Sequence, residues 1–146
     1  MKIGQLASAT DTPVETIRYY EREGLLPAAP RTASNYRDYD ATHVERLSFI
    51  RHCRSLDMAL DEIRTLLRFR DAPDGDCAGV NTLLDAHIGH VAQRIAVLRA
   101  LEQQLHALRA QCPVPEASGD CGILKGLAGD PAPPVGGRAR HVRGVH

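Results

Sequence analysis

With 146 residues the chain can build one domain with a sizeable core, or a small domain followed by a long helix and a tail, and two full globular domains would be a squeeze. Its 18 Lys and Arg are balanced by 18 Asp and Glu, so overall charge decides nothing about function and any basic surface has to be local. No apolar run suits a signal peptide or the roughly 18 residues of a membrane span, so a soluble, cytoplasmic protein is expected.

Residues 1–27 read as two short helices. The second is announced by Thr12, Pro13 and Glu15: a capping hydroxyl, a proline at the first helical position and a capping-box acid. Gly24, able to take the left-handed conformation, ends it, and Pro27 keeps it from resuming. Val14 and Ile17 fall on an inward face, whereas Glu15, Thr16, Arg18, Tyr19 and Arg22 fall largely on the other. Residues 28–40, AAPRTASNYRDYD, set Arg31, Tyr36, Arg37 and Tyr39 among turn formers, which suits a small two-stranded hairpin. Two helices and a basic, aromatic hairpin make a winged helix-turn-helix.

On that reading Arg18, Tyr19, Arg31, Tyr36 and Arg37 are DNA-binding candidates. Arginine neutralises phosphate or reads guanine, and a tyrosine hydroxyl bonds phosphate while its ring packs on the sugar edge. Each alone would pass for ordinary charged surface; together on a helix and its wing they outweigh that. Thr16 and Arg54 are weaker candidates, Arg54 either reaching phosphate or pairing with Asp57.

Two supporting helices follow, at Thr42–Arg54 with Val44, Leu47 and Ile50 at helical spacing, and at Leu60–Arg70 with Leu60, Ile63, Leu66 and Leu67. A turn-rich break, DAPDGDCAG, carries Cys77. Beyond it Leu84, Ile88, Val91, Ile95, Leu98, Leu101, Leu105 and Leu108 step by three or four residues, with one irregularity between Ile95 and Leu101. This is a coiled-coil seam that a lone helix cannot bury, so a homodimer is expected. Pro113 and Pro115 terminate it. The domains expected are therefore a DNA-binding unit at 1–40, a helical connector at 41–76, a dimerisation helix and loop at 77–127, and a disordered tail at 128–146.

In a reducing cytosol the four cysteines are expected as free thiols or metal ligands rather than disulfides. Cys77, Cys112 and Cys121 form one constellation, and polarisable sulfur suits soft ions; by spacing alone the same residues also read as small buried hydrophobes. Cys53, in the run Ile-Arg-His-Cys of a connector helix, reads as a packed core thiol. His87 and His90, three apart, share a helical face and could share a metal with Glu62 and Asn81, or simply form a solvated face. His141 and His146 in the tail read as unstructured surface that could scavenge metal loosely.

The segments KIGQLASATDTPVETIRYYEREGLLP, NYRDYD and HVERLSFIRHCRSLDMALDEIRTLL, with the spacing of Cys77, Cys112 and Cys121, resemble the MerR-type metalloregulators over roughly residues 1–127. The resemblance implies a mainly α fold: a winged helix-turn-helix, a helical connector, a long helix pairing antiparallel with its mate, and a short metal-binding loop. It implies a homodimer on promoter DNA that distorts the DNA when metal binds, so that RNA polymerase can use the promoter and metal-resistance genes are activated. It makes the three thiols metal ligands. A serine stands at the position of Cys77 in family sensors of monovalent ions, so a third thiolate points to a divalent one. The wording LDMALDEIRTLL is most similar to the cadmium- and lead-responsive branch, with mercury or zinc as alternatives.

Other functions fit less well. No Ser, His and Asp order, glycine-rich phosphate loop or HExxH is present, and a thiolate-saturated ion leaves no open position for a substrate, so an enzyme is not expected. A metal-buffering structural protein would need no promoter-specific DNA binding. A drug sensor of the same fold would carry a larger ligand domain after the long helix.

Overall fold

The structure, a computed structural model, describes residues 1–115 and 117–131. The chain divides into two compact units, one of residues 1–83 and one from Leu84 onward.

The first unit opens with α1 (Ile3–Thr10) and α2 (Val14–Arg22). The expected cap is corrected: Pro13 itself stands at the cap position, and the Thr12 hydroxyl donates to the Thr10 carbonyl at 3.0 Å instead of to the helix. The cause is the turn before it, where Asp11 sits left-handed (φ 49°) and folds Thr12 inward, leaving its hydroxyl buried beside α1. Glu15 remains in the first turn, where its charge complements the helix dipole. Ile17 is fully buried and Val14 half-buried, as their spacing requires, and Tyr20 joins them on the inward side. Gly24 (φ +75°) ends α2 and turns Leu25 and Leu26 into the core.

The hairpin forms without strands. Among the described residues the only β-pairing is one antiparallel bridge, Arg31 to Arg37, supported by Thr32 N–H to the Tyr36 carbonyl at 2.8 Å and Asp38 N–H to the Pro30 carbonyl at 2.9 Å. Pro27 and Pro30 have no N–H to give, so the ladder cannot lengthen toward α2. Asn35 takes the left-handed position at the tip (φ 65°).

Helix α3 (Ala41–Ser55) starts at Asp40, whose carboxylate accepts from the Thr42 backbone N–H at 2.9 Å and from the Thr42 hydroxyl at 2.5 Å. That hydroxyl contact is the main reason its pKa lies below the usual carboxylate range. Helix α4 (Leu60–Asp71) follows a left-handed turn at Asp57 (φ 64°). Leu47, Ile50, Ile63 and Leu67 are essentially fully buried against Leu6, Ile17 and Leu25, and Val80 and Leu83 pack on the edge of this core. Gly79 lies so close to Phe69 that an added Cβ would stand 2.2 Å from the ring, which fixes the start of the next helix on α4.

That helix, α5 (Ala78–Arg109), is 32 residues long. Its apolar seam stands in solvent in the single chain, with Ile88 60% and Leu105 66% exposed. It ends four residues before Pro113, earlier than the prolines require, because its last N–H groups tighten onto i−3 carbonyls and the Arg109 guanidinium donates to the Cys112 carbonyl at 2.7 Å. A 3₁₀ turn (Ser118–Asp120) and a short α6 (Gly122–Leu127) complete the second unit. Among the described residues no helix is long and apolar enough to cross a membrane.

Candidate functional site

A cleft of about 520 Å³ opens between α2 and the hairpin. Arg18 and Glu21 reach it from α2, Arg31, Tyr36 and Arg37 from the hairpin, and Lys2 from the chain before α1. Four cations thus surround one carboxylate, which suits a polyanionic backbone. Glu21 is not spare: it accepts the Tyr39 hydroxyl at 3.0 Å, and burial followed by this contact pushes the Tyr39 pKa up to about 12, so the phenol keeps its proton. The Met1 nitrogen, 2.6 Å from the Tyr39 carbonyl and 2.8 Å from Asp38 Oδ1, fastens the base of the hairpin beside α1.

The arginines divide their donors. Arg37 gives Nη1 to the Ala29 carbonyl at 2.6 Å and Arg31 gives Nη1 to the Asn35 carbonyl at 3.1 Å. Each guanidinium carries five N–H groups, so donors remain for a ligand while the hairpin is braced. Lys2 Nζ sits 4.7 Å above the Tyr36 ring, a cation–π contact that steadies the tip. Thr16, Tyr19 and Arg54 do not line this cleft. Thr16 is half-buried, Tyr19 is exposed on α2 with the Arg22 guanidinium 5.8 Å from its ring, and Arg54 gives Nη1 to the Met58 carbonyl at 2.8 Å. Glu21 is signalled in the sequence only by the alternation of charge with Arg18 along α2, and Lys2, which precedes α1, by nothing.

None of the four cysteines is in a disulfide. Cys53 is 7% exposed in the core, and burial pushes its thiol pKa up, which keeps it protonated as a packed residue. Cys77 is exposed just before α5, and its carbonyl accepts the Asn81 N–H at 2.9 Å. Cys112 and Cys121 lie half-buried at the two sides of a tight chain reversal. The reversal is closed by two glycines: a Cβ on Gly122 would stand 2.2 Å from the Gln111 carbonyl oxygen, and one on Gly126 2.4 Å from Gln111 Oε1. Gln111 and Gly122 each adjoin a cysteine, so their contact holds the two thiol-bearing backbones side by side. Cys112 Sγ lies 3.3 Å from the Val114 carbonyl. The role of Gln111 and Gly122 was not visible in sequence, because nothing in a single chain marks a close approach.

His87 and His90 stand on α5 with ring centroids 6.4 Å apart at 88°, His87 buried and His90 exposed. Glu62 accepts the Ala59 N–H at 2.8 Å and thereby caps α4, and Asn81 is exposed in the first turns of α5. His141 and His146 lie outside the described residues.

Residues 1–69 match the family described as MerR HTH family regulatory protein, and residues 44–108 the one described as MerR, DNA binding. The HTH-type transcriptional regulator ZntR homolog of Haemophilus influenzae is 49% identical over 109 residues, covering 75% of this chain and 81% of the relative. The chain belongs to the MerR family. A second H. influenzae relative of this MerR-family chain, a probable heavy metal-dependent transcriptional regulator, is 36% identical over 129 residues, covering 88% of this chain and 100% of the relative. The crystal structure of the transcription regulator PbrR691 from Ralstonia metallidurans CH34 in complex with lead(II) superposes with a TM-score of 0.77 at 50% identity, covering 87% of this chain and 98% of that one. The membership expected from the opening segment is borne out. Like these relatives, the MerR-family chain is a transcriptional regulator of the heavy-metal group and not an enzyme.

Proposed function

We propose that this MerR-family regulator binds promoter DNA as a homodimer in the cytoplasm, through α2 and its hairpin, and activates transcription by RNA polymerase when Cys77, Cys112 and Cys121 take up a divalent soft ion, Cd(II) or Pb(II). The observation that carries the reading is the thiol set: three cysteines outside the core and in no disulfide, two of them on backbones brought side by side where Gln111 meets Gly122. Thiolate sulfur is the donor such ions prefer over hard oxygen ligands. The lead(II) complex of a relative 50% identical supports the choice of ion. The apolar stripe of α5 supports the dimer, since large apolar side chains at coiled-coil spacing otherwise stay in water. His87 and His90 supply an auxiliary pair of nitrogen donors on α5. Cys77, Cys112 and Cys121 would hold the ion through their sulfurs; what the chain contributes is a preset turn for two of them.

The test titrates the purified full-length protein with Cd(II), Pb(II), Hg(II) and Zn(II) while following transcription from its promoter. Cd(II) or Pb(II) is expected to induce at the lowest free concentration. Induction by Zn(II) alone would replace the ion, in keeping with the relation to the ZntR homolog, and induction by none would overturn the reading.

The turn gives a second expectation. Gly122→Ala must push the Gln111 carbonyl away, because a backbone atom cannot swing aside as a side chain can. Metal affinity should fall roughly tenfold or more, the scale seen when groups that orient ligands are disturbed. Operator affinity of the metal-free protein should not change. Equal metal affinity in the variant and parent proteins would show that the reversal does not preset the thiols.

A further inference from the structure

The segment that leaves α2 is gripped from two sides. Arg46 of α3, 17% exposed, donates Nε to the Leu25 carbonyl at 2.7 Å and Nη1 to Asp71 Oδ1 at 2.9 Å, with Oδ2 at 3.2 Å. Arg64 of α4 donates Nη2 to the Glu23 carbonyl at 2.9 Å and Nη1 to Asp61 Oδ1 at 2.6 Å. The two aspartates lie at opposite ends of α4, Asp61 in its first turn and Asp71 as its last residue.

We infer that Arg46 and Arg64 are positioning residues that fix the orientation of α2 on the DNA from the two ends of α4. The inference rests on the reading of α2 as the DNA-reading helix. Each guanidinium joins a backbone carbonyl just past α2 to a carboxylate of α4, and charge-assisted hydrogen bonds of this fork geometry hold direction as well as distance. The gripped carbonyls, at residues 23 and 25, flank Gly24, whose backbone is the most pliable point between α2 and the core. Without the forks the angle of α2 would rest on the packing of Ile17 and Tyr20, which leaves the glycine joint some freedom. The two forks remove that freedom, and they refer the angle of α2 to the helix whose end precedes Cys77 by six residues. None of the four side chains lines the basic cleft, so they act through α2 and not on the DNA.

The test measures operator and non-specific DNA affinities of the full-length dimer and takes their ratio, which a mere loss of folded protein leaves unchanged because both affinities then fall by one factor. Arg46→Ala is expected to lower the ratio by about tenfold or more, the worth of one well-aligned base contact. Arg46→Lys, which keeps the charge but cannot fork, and Asp71→Asn, which frees one end of the fork, are expected to lower it less and in the same direction. An unchanged ratio in folded Arg46→Ala, or, should that variant not fold, in both Arg46→Lys and Asp71→Asn, overturns the inference. Arg18→Ala serves as control: if operator affinity itself is unchanged in that variant, the fault lies with α2 as the reading helix and not with the forks.

Discussion

Mixing a Cys77→Ser chain with a Cys112→Ser chain is expected to restore one tight metal site per heterodimer, while each parent homodimer binds none. Cys77 stands just before α5 and Cys112 just after it, and at about 1.5 Å per residue that 32-residue helix is about 48 Å long. Sulfurs sharing one ion must come within roughly 4 Å of each other, given metal–sulfur bonds of about 2.3 Å. A straight helix cannot bring its own two ends together. Two such helices paired antiparallel can, because the start of each then meets the end of the other. In the mixed dimer the chain that keeps Cys77 completes the site of the chain that keeps Cys112 and Cys121, and the second site loses both substituted thiols. Metal titration of the separated heterodimer should therefore read one ion per dimer. No recovery, with heterodimer formation established, would mean that each site is built within one chain.

Arg18→Ala is expected to weaken operator binding by more than tenfold, that is by more than about 1.4 kcal/mol, in the upper part of the range of about 1–3 kcal/mol that a good contact to DNA is worth. The side chain is exposed on α2 and faces the cleft, so its loss should leave thermal unfolding unchanged. If Arg18 meets phosphate, the slope of log affinity against log salt should also fall by about one. Unchanged affinity at moderate salt would remove α2 from the interface.

The helices were legible in the sequence because each carries both a period and a stop. Val44, Leu47 and Ile50 mark α3, Leu60, Ile63 and Leu67 mark α4, and Gly24 ends α2 as expected. Thr12 misled because a Thr-Pro pair carries the signs of a cap, yet the left-handed Asp11 turns the hydroxyl back onto α1. The hairpin was legible in its turn residues but not in its poverty of pairing, which depends on which N–H groups face a partner. Helix α6 was missed outright: at six residues it spans less than two turns and shows no period to count. The cleft was half-read. Arg18, Arg31, Tyr36 and Arg37 announced themselves by type, whereas Lys2 and Glu21 matter through folding that brings residues 2, 21 and 36 together. Likewise Gln111, Gly122, Arg46 and Arg64 act through backbone contacts, which leave no trace in residue type.

The seam of α5 has a consequence for how the protein lives and dies. Leu84, Ile88, Val91, Ile95, Leu98, Leu101 and Leu105 all stand in water in a single chain. Covering what remains exposed of each in the proposed dimer would be worth on the order of 1 kcal/mol, so part of the free energy that keeps this helix intact would come from association rather than from the chain. Stability then follows mass action: dilution loosens the molecule as surely as heat does. At concentrations below the dissociation constant of the proposed dimer, the chains would stand alone with this apolar stripe uncovered. The concentration of the regulator would therefore bear on its stability as well as on its occupancy of DNA.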